Sequence, residues 1–204
     1  MRFSFPLAFL TISVFAQPPQ IKVETHYDTV AITNLNASPV TALIVWAPLE
    51  EPLQRRAFSV MQDSVTFEPG GAPRVIIGAG ERRLLHVDGR SGISVGVIFA
   101  DGKSAGDPEA VQKLRDHRRE MALAISSVLA AIRPLVQAGE SRSAVIARVE
   151  QFGQQERTAV AITPGAPAAI LVSKKTADLL RANDEPLKVI AALERWRERV
   201  EEAS

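Results

Sequence analysis

The histidines are the side chains with the widest chemical repertoire in this sequence, and there are three, at His26, His86 and His117. No two lie at zinc-ligand spacing, and the chain contains no cysteine to complete such a site. His26 and Asp28 are two residues apart, so one strand face could hold a carboxylate that orients the imidazole. No Gly-x-Ser-x-Gly elbow supplies a nucleophile. We therefore interpret the histidines as structural, expect His117 on a helix surface, and assign no catalytic residue.

The segment from residue 101 to 107 contains two carboxylates, a hydroxyl and two glycines, which are potential oxygen ligands and flexible positions for a calcium loop. An EF-hand-like loop starting at Asp101 needs oxygen donors at alternate positions and a carboxylate at position twelve. Lys103 and Gln112 occupy the third and twelfth positions instead. The segment is better interpreted as a strand end, a turn and a helix N-cap at Asp107. The sequence predicts no metal and no cofactor.

The net charge, the glycine-rich segments and the aromatic content give little support for binding of nucleic acid, phosphate or sugar. The formal net charge of +1 gives no reason to expect nucleic acid as a partner. The glycine-rich segments 78–80 and 89–92 lack the following helix and Gly-Lys-Ser/Thr of a phosphate loop. Acidic residues are plentiful, so a carboxylate pair acting on a glycoside stays open, although aromatic residues, which stack on sugars, make up only 5% of the chain.

The first sixteen residues have the pattern of a secretory signal peptide. Arg2 gives a short positive region, and an apolar run extends from Phe3 to Ala16, too short to span a bilayer. Val14 and Ala16 suit a peptidase site that leaves Gln17 as the mature N-terminus. We expect a secreted or periplasmic protein with no membrane span in the mature chain.

Residues 17–106 show short apolar runs between turn residues, the pattern of an antiparallel β-sandwich. Residues 21–32 are predicted to be extended, and the change of phase after Asp28 indicates a bulge or a break between two strands. The other predicted strands are Val40–Trp46, Val65–Phe67, Val75–Ile77, Leu84–Val87 and Ile93–Ala100. The last is apolar on both faces, which predicts a central strand.

Residues 107–204 change to helical periodicity. Asp107 and Pro108 suit the start of a helix, and an apolar stripe continues to about Arg133, before Pro134, with Arg118 as its one charged member. A second helix is expected after Ser141 or Ser143, and a last one from Pro186 with a stripe through Val189, Leu193, Trp196 and Val200. Residues 158–173 fit either a hairpin or a loop followed by a helix.

The hairpin ITNLNASPVTALIV and the strand ISVGVIFADG resemble the immunoglobulin-like sandwich modules of many bacterial exported proteins. The resemblance covers residues 21–100 and lacks the paired cysteines of antibody-type domains. It implies a fold that presents surfaces to other molecules, and it carries over no catalytic residues.

The sequence therefore predicts an α+β protein: a signal peptide over residues 1–16, an immunoglobulin-like antiparallel β-sandwich over 17–106 and a helical region over 107–204. The favoured function is an exported, non-enzymatic binding or scaffolding protein of unknown ligand. Two alternatives stay open: a carboxylate-dependent hydrolase with a site between the two halves, and an assembly protein that self-associates or binds a protein partner through the helical region.

Overall fold

The computed structural model describes residues 20–47, 58–67, 69, 74–87, 92–159, 166–183 and 185–204. The expected signal peptide lies outside the described residues. The fold is mixed α+β, with two antiparallel sheets in the N-terminal half and the long helices in the C-terminal half.

Seven strands form the two sheets. The three-stranded sheet has the order β1-β2-β5, with bounds Ile21–Thr25, Thr29–Asn34 and Arg82–His86. The four-stranded sheet has the order β4-β3-β6-β7, with bounds Phe58–Asp63, Val40–Ala47, Ser94–Phe99 and Ser104–Gly106. Every pairing is antiparallel, and the phase break near Asp28 is the turn between β1 and β2.

The two sheets share one apolar core. Val30 and Ile32 of β2 pack there with Leu43 of β3 and Val97 of β6. The other face of β3 and β6 is covered by the first long helix, α2 (Pro108–Gln137), through a second cluster. Both faces of β3 and β6 are covered, which fits their mostly apolar sequences. The prediction of a central strand over Ile93–Ala100 is confirmed, because β6 lies between β3 and β7.

Helix α2 begins as predicted, since the Asp107 carboxylate accepts a hydrogen bond from the Ala110 N–H at 2.9 Å. It does not end before Pro134, which lies inside its last turn. Pro134 has no N–H to donate to the preceding turn, and the helix continues for only three residues beyond it. Among the described helices, α2 alone is long and apolar enough by length and composition to cross a membrane, a property that buried core helices share.

The remaining helices are α1 (Ser64–Phe67), α3 (Arg142–Ala159), α4 (Ala166–Ala182) and α5 (Pro186–Glu202). The predicted stripe of α5 is buried in one core with the second half of α2 and with α3 and α4. Ser141 caps α3 by accepting from the Ala144 N–H. Residues 158–173 fitted either a hairpin or a loop followed by a helix. Residues 168–172 are helical, and residues 160–165 lie outside the described residues.

Two predicted strand assignments are wrong, and strand β7 was missed. Val65–Phe67 belongs to the helical turn α1, because the Asp63 carboxylate caps it by accepting from the Val65 N–H at 3.0 Å. In Val75–Ile77 only Ile77 makes a bridge, to Val40. The segment from residue 101 to 107 contains β7 (Ser104–Gly106), whereas the sequence predicted a strand end, a turn and a helix N-cap there.

Candidate functional site

A concavity of about 610 Å³ lies where the two sheets meet the helices. Its walls come from β4, α1, β5 with the segment before it, and helices α2 and α4. We call it the junction cleft. Such clefts between packed units are frequent ligand sites. The sequence predicted a possible site between the halves but none of the side chains that line this one.

Part of the cleft wall is apolar and open to solvent. Val75 is 58% exposed, and Met61, Ile76 and Leu171 beside it are only half-buried. These four side chains come from three separate segments of the chain, so their proximity is a product of the tertiary fold. They give the cleft a surface on which the apolar part of a ligand can pack.

Two guanidinium groups line the same cleft, those of Arg74 and Arg83. Arg83 is held in place because its Nη1 donates to the Ile76 carbonyl at 2.9 Å. A planar, always charged guanidinium with several donors is well suited to binding a carboxylate, phosphate or sulfonate. The cleft therefore combines an apolar wall with fixed positive charge.

Among the described residues that line the cleft, the carboxylate is that of Asp63, and it forms a buried ion pair with Arg118. Arg118 donates from Nε to Oδ2 at 2.6 Å and from Nη2 to Oδ1 at 3.2 Å, and both side chains are almost wholly buried. Arg118 Nη1 also donates to the Ala203 carbonyl at the end of α5. Because Arg118 neutralises Asp63, the carboxylate does not cancel the positive charge of the two cleft arginines.

His117 also lines the cleft, and it is half-buried, where the sequence placed it on a helix surface. Burial lowers the pKa of its imidazole, with Arg118 adding to this and with Asp63 and Glu120 acting in the opposite direction. Its pKa therefore lies below the ordinary value, so the imidazole is mostly neutral at neutral pH. Acidification adds a further positive charge to this wall.

The hydroxyl groups of the cleft bind backbone carbonyls. Ser64 Oγ donates to the Thr41 carbonyl at 2.9 Å, and Thr66 Oγ1 donates to the Asp63 carbonyl at 3.1 Å. A serine nucleophile needs its proton directed at a general base. These two hydroxyls act as structural ties for α1.

A second concavity, of about 540 Å³, lies on the other side of Arg118. Asp101 from the sheet half and Glu202 from the helical half both line it. Both are exposed, and Asp101 pairs with Lys103 at 3.3 Å. An exposed carboxylate lacks the burial by which glycosidases tune a catalytic acid, so this geometry gives the hydrolase alternative little support.

The residues singled out in the sequence lie apart. His26 and Asp28 are exposed at the β1–β2 turn, and His86 is exposed on β5. Asp101 accepts from the Lys103 N–H at 3.2 Å, while Asp107 caps α2. Within the part of the chain that the structure describes, no three histidine or acidic side chains are grouped as metal ligands would be.

Sequence reasoning missed Asp63 and Arg83. One signal pointed to Asp63 indirectly: Arg118 is the charged member of an apolar stripe, and a buried arginine requires an acidic partner.

No family model, curated protein or solved structure matches this chain.

Proposed function

We propose that this chain is an exported, non-enzymatic binding protein, and that the junction cleft binds a ligand with an apolar body and an anionic group. The observation that carries the proposal is the pairing of an exposed apolar wall with Arg74 and Arg83. The adjacent carboxylate, Asp63, is already neutralised by Arg118. Asp63 is therefore not a competing partner for Arg83, whose guanidinium lines the cleft.

An immunoglobulin-like module is part of the proposal, and the strand order supports it. The order β1-β2-β5 corresponds to strands A-B-E of such sandwiches, and β4-β3-β6-β7 to C′-C-F-G. Modules of this type present surfaces to other molecules, so the architecture agrees with a binding role, although fold alone does not establish function.

Export rests on the pattern of residues 1–16. We expect the protein from its native host to be recovered outside the cytoplasm, and Edman sequencing or mass spectrometry to find Gln17 at its N-terminus. Protein purified from the cytoplasm with Arg2 still present would contradict this part of the proposal while leaving the binding part to be tested separately.

The binding test uses the fluorescent dye anilinonaphthalene sulfonate, which joins an apolar ring system to one negative charge. We expect saturable binding that Arg83→Gln weakens by about tenfold, the effect of losing one charge-assisted contact. Arg82→Gln is the matched control, because Arg82 is the neighbouring arginine and its Nη2 lies 3.3 Å from Glu24, away from the cleft.

Three results would contradict the binding proposal: no saturable binding, equal loss in the two variants, or equal affinity for an uncharged dye such as Nile red. Since this dye also binds partly unfolded chains, each variant must first show the near-ultraviolet circular dichroism and melting temperature of the parent protein.

A further inference from the structure

Strand β1 forms an edge of the three-stranded sheet. Within the described residues, its hydrogen-bonded neighbour is β2, on one side. An open edge presents a row of unpaired N–H and C=O groups, which is a template for another strand. The sequence of β1, Ile-Lys-Val-Glu-Thr, decides which strand fits that template.

The hydrogen-bond pattern identifies the groups on the open edge. The Leu35 N–H donates to the Gln20 carbonyl at 3.2 Å, and the His26 N–H donates to the Thr29 carbonyl at 2.8 Å. In an antiparallel pair, hydrogen-bonded residues alternate with residues whose backbone groups point away from the partner. The N–H and C=O groups of Ile21, Val23 and Thr25 therefore face the open edge.

We propose that two copies of this chain pair through β1, antiparallel and centred on Val23. In this register Val23 lies opposite Val23 of the second copy, and Lys22 lies opposite Glu24 of the second copy. The two-fold axis repeats the Lys22–Glu24 pair on the other side of the centre. The three-stranded sheets then join into one six-stranded sheet, a closed isologous contact.

The charge pattern selects this register over its neighbours. A shift by two residues in one direction places Lys22 opposite Lys22, and a shift in the other places Glu24 opposite Glu24. Like charges directly opposite each other destabilise a strand pair, and opposite charges stabilise it. Within each chain Lys22 Nζ already lies 2.8 Å from Glu24 Oε1, and Lys22 and Arg82 lower the pKa of Glu24, so the Glu24 carboxylate is ionised at neutral pH.

The apolar side of β1 agrees with the same contact. Val23 is 40% exposed, and it faces an open groove of about 480 Å³ that Ile21, Ile93 and Ala105 also line. Ile21, Ile93 and Ala105 pack against the core between the sheets. Pairing through β1 places Val23 of each copy against the other and shields that end of the groove from water.

The test is analytical ultracentrifugation of the purified chain over a range of concentrations. We expect a monomer–dimer equilibrium in the parent protein. Lys22→Glu places like charges opposite each other twice and should raise the dissociation constant by about tenfold or more. The swap variant Lys22→Glu/Glu24→Lys restores both opposite-charge pairs and should dimerise like the parent. Lys188→Glu, which makes the same charge change on α5 beside Glu185, is the control and should have no effect.

Val23→Pro tests the backbone contact independently. The Val23 N–H points to the open edge, so proline leaves the β1–β2 hydrogen bonds intact and removes one needed for pairing. We expect a folded monomer with the parent melting temperature. A parent protein that stays monomeric to about millimolar concentration, or a dimer unaffected by both Lys22→Glu and Val23→Pro, would overturn the proposal. If Val23→Pro fails to fold, the charge variants alone decide.

Discussion

The helical half is attached to the sheets at two places along α2, and the two attachments differ in chemistry. At the first, Ala110 and Leu114 pack on Ala42, Ile44 and Ile98 of β3 and β6 in a wholly apolar contact. One helical turn further on, Arg118 makes its ion pair with Asp63 at the end of β4. The same stripe of α2 supplies both contacts.

The apolar contact and the ion pair give α2 two different roles: one stabilises the packing of α2 on the sheet, and the other fixes the position of β4 and α1 relative to α2. The apolar contact is non-directional and stabilises roughly in proportion to the area it buries. Gly96 allows it to be close, since a Cβ there would lie 2.7 Å from the Val111 backbone nitrogen. The ion pair is directional: it sets the position of β4 and α1 against α2, and its Asp63 lines the junction cleft.

Removing one partner of the ion pair should have the largest effect. Asp63→Asn leaves the Arg118 charge buried without its counter-ion, and we expect a loss of about 3–5 kcal/mol in the free energy of unfolding. The double variant Asp63→Asn/Arg118→Met removes the unpaired charge and should recover much of that loss. Urea denaturation measures both; a single-variant loss below about 1 kcal/mol would show that the pair behaves like one on the surface.

The apolar attachment is tested by Gly96→Ala. The new methyl group meets backbone atoms of Ala110 and Val111, so α2 must shift away from β6, and we expect a loss of about 2–3 kcal/mol. Gly78→Ala is the matched control, because its methyl group meets the flexible end of Glu81 and should cost less. Equal losses in urea denaturation would contradict the close approach of α2 to β6.

Trp196 connects the two kinds of contact, since its ring lies in the apolar helical core while Nε1 donates to the Val65 carbonyl at 3.0 Å. Trp196→Phe keeps most of the ring volume and leaves that carbonyl unpaired, which should cost about 1–2 kcal/mol. Trp46→Phe, at the half-buried sheet tryptophan near Lys113, serves as the control. A smaller loss at Trp196 than at Trp46 in thermal or urea unfolding would argue against the role of this bond.

The smallest expected effect is on the pH dependence of stability. The pKa of His117 is lower in the folded chain than in the unfolded one, where it is about 6.5. Below that value the unfolded state binds more protons, so the free energy of unfolding falls as the pH falls, until the folded-state pKa is passed.

His117→Gln should flatten this decline between about pH 7 and pH 5, while leaving stability at higher pH nearly unchanged. His26→Gln, at an exposed turn histidine, is the control and should keep the parent profile. A profile for His117→Gln that still falls like the parent's would show that other groups produce the pH dependence.

The sequence predicted the helical half well because its stripes are long. Asp107 marks the start of α2 correctly, and the stripe of α5 from Val189 to Val200 is buried as expected. Each of these signals is local, resting on a cap or on the period of 3.6 residues, and tertiary contacts reinforce it.

The sheet half was less predictable because strand formation there depends on pairing with segments that are distant in the sequence. Strand β7 is only Ser-Ala-Gly, with no strand-forming side chain, and it forms because it pairs with β6. Val75–Ile77 has the composition of a strand, yet it forms only the isolated bridge from Ile77 to Val40. Strand β4, not predicted at all, pairs with β3 and ends in the polar residues Gln62 and Asp63.

The junction cleft could not be predicted from local pattern. Arg118 signalled a buried charge, but its partner Asp63 lies 55 residues earlier in the chain, and nothing in the sequence distinguishes it from the other acidic residues. Arg83 reaches the cleft because β5 alternates its side chains between two faces, and the choice of face depends on the register with β2.

The bond from Arg118 to the Ala203 carbonyl has a consequence for the order of events during synthesis. Ala203 lies 85 residues after Arg118, so the polar junction of β4, α2 and α5 stays incomplete until the end of α5 has been synthesised. The apolar attachment of α2 to β6 needs nothing beyond its own first turns and can form earlier. A chain that stops before Ala203 would therefore keep the Asp63–Arg118 ion pair and lack the contact between Arg118 and the end of α5.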